Sequence, residues 1–185
     1  MSAVMTERIV GISPQSRARI AGAFYLLTFV AGVLALASSG RLAANLVATG
    51  AYVVVTLLFY DIFKPVNKRI SLLAAFLGLV GCAWSVLAIF HIAPAGINSL
   101  VFFGGYCLLI GYLILNSTFL PRLLGIGMAI GGLGWLTFLS APLASSLAPW
   151  NLAPGMIGEG LLTLWLVVFG VNVRRWKEQA GAVRV

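Results

Sequence analysis

Six apolar runs alternate along the chain with short polar or basic connections: Ile20 to Ser38, Leu42 to Phe63, Ile70 to Phe90, Ile97 to Leu115, Leu123 to Ala141 and Pro154 to Val173. Each run is close to the roughly 20 residues that carry a helix across about 30 Å of hydrocarbon. The pattern predicts an all-α fold, an integral membrane bundle of six transmembrane helices over residues 20–173, with tails at 1–19 and 174–185. Ser13 and Pro14 are expected to break any helix in the leading tail. Ala35-Leu36-Ala37 at the end of the first run resembles a signal-peptidase site. The length of the run, the tail ahead of it and the odd number of spans left by its removal all favour a retained helix.

Polar positions inside the runs are few, and their spacing carries the next layer of information. Asn45, Thr49, Tyr52, Thr56 and Tyr60 fall at helical spacing on one face of the second run. Such a stripe supplies hydrogen bonds between packed helices or lines a cavity, and packing is the simpler expectation. In the fifth run Gly127 and Gly131 form a GxxxG pair, with Gly125, Gly132 and Gly134 close by. That surface lets another helix backbone approach closely, so residues 123–141 are a candidate homo-oligomer contact. Cys82 and Cys107 lie within apolar runs without metal-type spacing and read as small buried residues. Residues 63–65 (Phe-Lys-Pro) and 119–121 (Phe-Leu-Pro) echo each other at two turns, a weak sign of a duplicated hairpin.

One ionisable side chain, Glu159, lies well inside the last run. Counted from Gly155 at ~1.5 Å per residue it is about 6 Å below the interface, so it is expected to face protein or a wet cavity. A carboxyl at that depth is expected to be neutral unless a cation or several donors stabilise its charge. By contrast Asp61 precedes Lys64 by three residues near a helix end, where an interfacial ion pair is expected.

Composition supports the membrane reading. The chain of 185 residues is 61% hydrophobic and 9% charged, with a mean hydropathy of +1.06, which leaves too little polar surface for a water-soluble globule of this size. The net charge of +8 would suit nucleic acid, but the basic residues sit in the connections, so no nucleic-acid partner is expected. With six spans and an inside N-terminus, eleven Lys and Arg residues fall inside and only Arg41 outside. That bias predicts cytoplasmic termini in a bacterial inner (cytoplasmic) membrane.

Residues 106–139 (YCLLIGYLILNSTFLPRLLGIGMAIGGLGWLTFL) resemble the small bacterial membrane proteins of domain-of-unknown-function family 4386. The blocks RIAGAFYLLTFVAG from Arg19, FKPVNKRISLLA from Phe63 and GEGLLTLWLVVFGV from Gly158 are similar to it as well. The resemblance implies about six helices and no established activity. It also implies that Glu159 opens the family's GE-rich last helix and that Tyr106 stands where many relatives have histidine, which weakens a metal or a second-imidazole proton relay.

No phosphate-binding glycine loop, HExxH, GxSxG or cysteine pair is present, so ATP hydrolysis, zinc proteolysis and serine hydrolysis have no motif behind them. No cofactor and no metal are expected. Arg41, Asn45, His91, Asn98, Trp150 and Glu159 all fall at or near the same ends of their spans. With Tyr52 they form the candidate set for binding an apolar or lipid-like small molecule in the bundle. In a competing structural reading Glu159 only bridges helices, through Asn45 or Arg41. A second functional reading makes Glu159 a general acid on an isoprenoid or lipidic substrate, with Trp84, Trp135 or Trp165 stabilising positive charge. In a third, Glu159 is the proton site of a small transporter.

Overall fold

The computed structural model describes residues 13–37 and 40–182. Its long helices are α1 (Pro14–Ala37), α2 (Arg41–Phe63), α3 (Lys68–Ile89), α4 (Leu100–Leu115), α5 (Arg122–Leu136) and α7 (Ala153–Val168). A short α6 (Ala141–Leu147) lies between α5 and α7, and α8 (Val173–Ala182) follows α7. Ser13 and Pro14 begin a helix instead of breaking one. The Ser13 hydroxyl accepts from the Ser16 amide at 3.1 Å, and Pro14 takes the first position of α1, where its missing N–H costs nothing. Asn67 starts α3 in the same way, accepting from the amides of Arg69 and Ile70, each at 3.1 Å.

Each long helix packs on the next, and α7 returns to pack on α1, so the six close into a ring with neighbours antiparallel. Glycine sets how tightly. A Cβ on Gly111 would stand 2.8 Å from the Gly125 carbonyl oxygen and one on Gly125 would stand 2.8 Å from the Gly111 oxygen. Gly104 and Gly132 repeat the arrangement two turns away at 3.0 and 2.8 Å, so α4 and α5 meet backbone to backbone. The other glycine face of α5 meets α7: Gly127 lies against Gly158, Gly131 against Gly155 and Gly134 against Asn151. The glycine surface expected to receive a second copy thus receives two helices of its own chain.

Among the described residues, five helical stretches are long and apolar enough to cross a bilayer, α5 and α7 being extended by the 3-10 turns Thr137–Leu139 and Trp150–Leu152, and α4 is apolar but stands alone at 16 residues. Leu72, Phe76, Leu123, Leu133, Leu164 and Val168 are each more than half exposed on the outside of the ring. An apolar outer surface around a packed interior is that of a membrane-integral helical bundle. The up-down path gathers Arg17, Arg19, Lys64, Lys68, Arg69, Arg122, Arg174, Arg175 and Lys177 at one end and leaves Arg41 at the other. Arg8 and Arg184 lie outside the described residues. Asp61 sits at the basic end, 2.6 Å from Lys64 and 3.9 Å from Arg17.

Two helices end well short of the sequence expectation. Helix α5 stops at Leu136, short of Ala141, because Thr137–Leu139 tightens into a 3-10 turn and Ser140 turns extended to cap α6. Helix α7 stops at Val168, short of Val173, because Gly170 takes a φ of +67°, a left-handed conformation suited to glycine. The chain after it is a docked helix, not a free tail. Trp176 Nε1 of α8 donates to the Ile62 carbonyl at 2.9 Å, and Gln179 Nε2 donates to that of Asn116 at 3.1 Å.

Gln15 of α1 fastens the end of α7. Its Nε2 donates to the Phe169 carbonyl at 2.8 Å, and its Oε1 accepts from the Val171 amide at 2.9 Å, so one amide satisfies both sides of the Gly170 turn. Gln15→Ala is expected to cost about 1–2 kcal/mol, from two half-buried hydrogen bonds of ~1 kcal/mol each. Thermal unfolding in detergent reads the loss, and an unchanged midpoint would show that water replaces the amide.

Candidate functional site

Glu159, one and a half turns into α7, points into the ring and is 7% exposed. Its Oε1 accepts from Trp135 Nε1 at 2.6 Å and from Cys107 Sγ at 3.6 Å, and its Oε2 accepts from the Tyr25 hydroxyl. The three donors come from α5, α4 and α1, so the carboxyl joins helices on both sides of α7 and one across the ring. Gly155, one turn earlier on the same face, makes this possible. A Cβ there would stand 2.2 Å from the Trp135 ring, so only glycine leaves room for the indole to reach Glu159.

A cavity of about 470 Å³ lies beside the carboxyl, in the half of the bundle away from the basic residues. Its volume falls in the range of roughly 300–1,000 Å³ usual for small-molecule sites. Tyr25, Phe29, Tyr52, Phe103, Trp135 and Glu159 supply its aromatic and polar wall. Val33 of α1 and Met156 of α7 also line it and are 58% and 46% exposed, so the cavity reaches the outer surface near these two helices. The contacts that close α7 on α1 run from Gln15 and Phe169 at the basic end through Gly22 and Leu166 to the Tyr25–Glu159 bond at the cavity. Below Glu159 the interior is filled: Phe59, Phe63, Ile110 and Leu162 are each at most 1% exposed.

Tyr52 lines the cavity at 6% exposure, and its buried hydroxyl faces Glu159 and Cys107 without a hydrogen bond of ordinary geometry to either. Its ring stands edge-on to Tyr25 at 5.4 Å and to Phe103 at 4.7 Å, which holds the hydroxyl in place. The α2 stripe contains Tyr52, but its threonines bond within their own helix. Thr49 and Thr56 donate to the carbonyls of Asn45 and Tyr52, four residues back, at 2.8 and 2.9 Å. Thr56 is fully buried between helices, against Gly78 of α3, as the packing expectation has it, whereas Thr49 and Tyr52 face the cavity.

Of the residues singled out by sequence, the structure brings Glu159 and Tyr52 to one cavity. Asn98 lines a second, more polar-rimmed hollow with Asn151, and its side chain accepts from the Leu100 amide at 3.0 Å. Arg41 donates to the Ala35 carbonyl at 3.2 Å, so it is not the bridge to Glu159, and Asn45 is half-buried a turn above Thr49. His91 is exposed at the end of α3 with a φ of +59°, and Trp150 is 79% exposed. Of the three tryptophans considered as charge stabilisers, Trp135 lines the cavity, whereas Trp84 donates to the Ile97 carbonyl at 3.1 Å and Trp165 stacks on Phe169 at 4.5 Å. Cys82 and Cys107 are both buried and free.

Sequence reading did not place Tyr25 or Gly155 at the site. Tyr25 could have been flagged as one of few polar groups deep in the first run, as Glu159 was in the last. Gly155 gave no such signal, since a glycine's role depends on what lies opposite. A family model described as Domain of unknown function (DUF4386) matches residues 96–170, which contain Cys107, Trp135, Gly155 and Glu159. No curated protein and no solved structure matches the chain.

Proposed function

The chain belongs to the DUF4386 family through residues 96–170, and since that description carries no activity, we propose a function from the site alone: the bundle binds an apolar small molecule beside Glu159. The observation that carries this reading is a buried carboxyl at the inner end of an apolar cavity walled by Tyr25, Phe29, Tyr52, Phe103 and Trp135. Structural bridging by Glu159 accounts for its bonds to Tyr25 and Trp135 but not for the hollow or for its aromatic wall. A ligand that lodges its apolar body against Phe29, Phe103 and Val33 and its polar end at Glu159 accounts for all three. The opening near α1 and α7 would admit it from the bilayer.

The same reading includes the topology. All six long helices span, the shorter α4 included, because its glycine contacts hold it alongside α5 over two turns. The basic end faces the cytoplasm of a bacterial inner membrane, following the charge bias of nine described Lys and Arg against Arg41. Residues 1–19 and 174–185 then flank the membrane domain on the inside, with α8 docked across that end.

A second reading, acid catalysis by Glu159 on a lipidic substrate, draws on Trp135 facing the same cavity, where its ring could stabilise developing positive charge. Proton-coupled transport has less behind it, because Phe59, Phe63, Ile110 and Leu162 fill the interior between Glu159 and the basic end.

Native mass spectrometry of the full chain, released gently from detergent, tests the binding reading. The wild type is expected to carry a specific small molecule that Glu159→Gln loses while remaining folded. Equal occupancy in the two proteins, or an empty wild type together with lowered stability in the variant, would reduce Glu159 to a bridge between helices. A retained molecule that differs chemically between wild type and variant would favour catalysis.

A further inference from the structure

We propose that the polar end of the ligand is a cation, so that the cavity takes an amphiphilic ammonium with its positive centre between Glu159 and the rings of Tyr25, Tyr52, Phe103 and Trp135. This inference rests on the reading that the cavity holds a small molecule.

Two features of the geometry point to a cation. The first is the arrangement of donors around the carboxyl. The indole N–H of Trp135 can only donate, and it shares Oε1 with the Cys107 thiol at 2.6 and 3.6 Å, while the Tyr25 hydroxyl donates to Oε2. Donors converging on both oxygens are what an ionised carboxylate collects. None of the donors carries a charge, and the described Lys and Arg residues lie at the helix ends, where Arg41 bonds the Ala35 carbonyl and Arg19 that of Val168 at 3.2 and 3.4 Å. The carboxyl therefore has dipoles around it but no counter-ion among the described residues, and a cation in the cavity would supply one.

The second feature is the wall that faces it. Tyr25, Phe29, Tyr52, Phe103 and Trp135 all border the same hollow as Glu159, with Tyr25 and Tyr52 centroids 5.4 Å apart and Tyr52 and Phe103 4.7 Å apart. Ring faces carry negative potential, and their attraction for a cation grows when water is excluded, which is how aromatic cages hold alkylated ammonium groups. A carboxylate ligand would meet like charge at Glu159. A neutral alcohol could share one hydrogen bond but would leave the charge uncompensated.

The test compares dodecylammonium with dodecanol, two probes of equal tail length, by titration of the full chain in a non-ionic detergent with bound probe read by native mass spectrometry. The wild type is expected to hold the ammonium at least about tenfold more tightly than the alcohol. Glu159→Gln is expected to abolish that preference while still taking the alcohol. Tyr52→Leu, which keeps the carboxyl and removes a ring, is expected to reduce the preference several-fold, and it keeps the test readable should Glu159→Gln fail to fold. Alcohol bound as tightly as ammonium by the wild type would overturn the cation and leave the cavity reading standing. A preference unchanged by both variants would assign it to the micelle and overturn the cation equally. If neither probe binds and no molecule co-purifies, both readings fall.

Discussion

Replacing Gly158 with alanine is expected to lower the stability of the bundle by about 3 kcal/mol, at the upper end of the usual cost of overpacking. The added Cβ would stand 2.3 Å from the carbonyl oxygen of Gly127 and 2.8 Å from its carbonyl carbon. Those atoms are backbone, so no rotamer change relieves the clash. Helix α5 would have to move away from α7, yet it is already held on its other side by Gly104 and Gly111 of α4. A shift therefore disturbs two interfaces at once. Gly160→Ala, where nothing lies within 4 Å of the added Cβ, is the control and should be neutral or slightly stabilising through helix propensity. Thermal unfolding in detergent decides the matter, and a Gly158→Ala midpoint equal to that of Gly160→Ala would mean that the two helices are not in backbone contact.

Gly155→Ala is expected to act on the site as much as on the fold. Its Cβ would fall 2.2, 2.3 and 2.6 Å from Cε2, Cζ2 and Nε1 of Trp135, which are side-chain atoms and can move. The indole would swing away from α7, lose its 2.6 Å bond to Glu159 and intrude on the cavity it now lines. The stability cost should be about 2 kcal/mol, below that of Gly158→Ala, because a ring yields where a backbone cannot. Ligand retention should fall as far as in Glu159→Gln. Trp135→Phe separates the two effects, since it deletes the N–H donor without crowding Gly155. Retention by Gly155→Ala at the wild-type level would show that the position of the indole does not matter to the site.

The existence of six helices, their order and their near-antiparallel path were legible because each depends on local facts. A run of apolar residues must satisfy its backbone internally once it enters hydrocarbon, and short connections such as residues 64–67 force the next helix to lie alongside. The gathering of basic residues at one end follows from the same alternation. Glu159 stood out for the same local reason, as an ionisable group inside an apolar run. Its partners did not: sequence pointed to Asn45 and Arg41, whereas Tyr25, Cys107 and Trp135 surround it.

Which residues meet in a ring of helices depends on how each helix is rotated and how closely it approaches its neighbours. Those quantities are set by pairs of surfaces, not by either sequence segment alone. Within α5, Gly125 and Gly132 face α4, and Gly127 and Gly131 face α7, although all four read as one small-residue stretch. Gly155 matters only because Trp135 lies opposite, and Tyr52 lines a hollow only because α1 and α7 leave one beside Glu159. The sequence by itself determined the six long helices, their order and the end at which charge accumulates, since hydrophobic length and charge act locally. Only the tertiary structure decided the partners of Glu159 and the existence of its cavity, since close packing acts between segments more than 100 residues apart, as Tyr25 and Glu159 are.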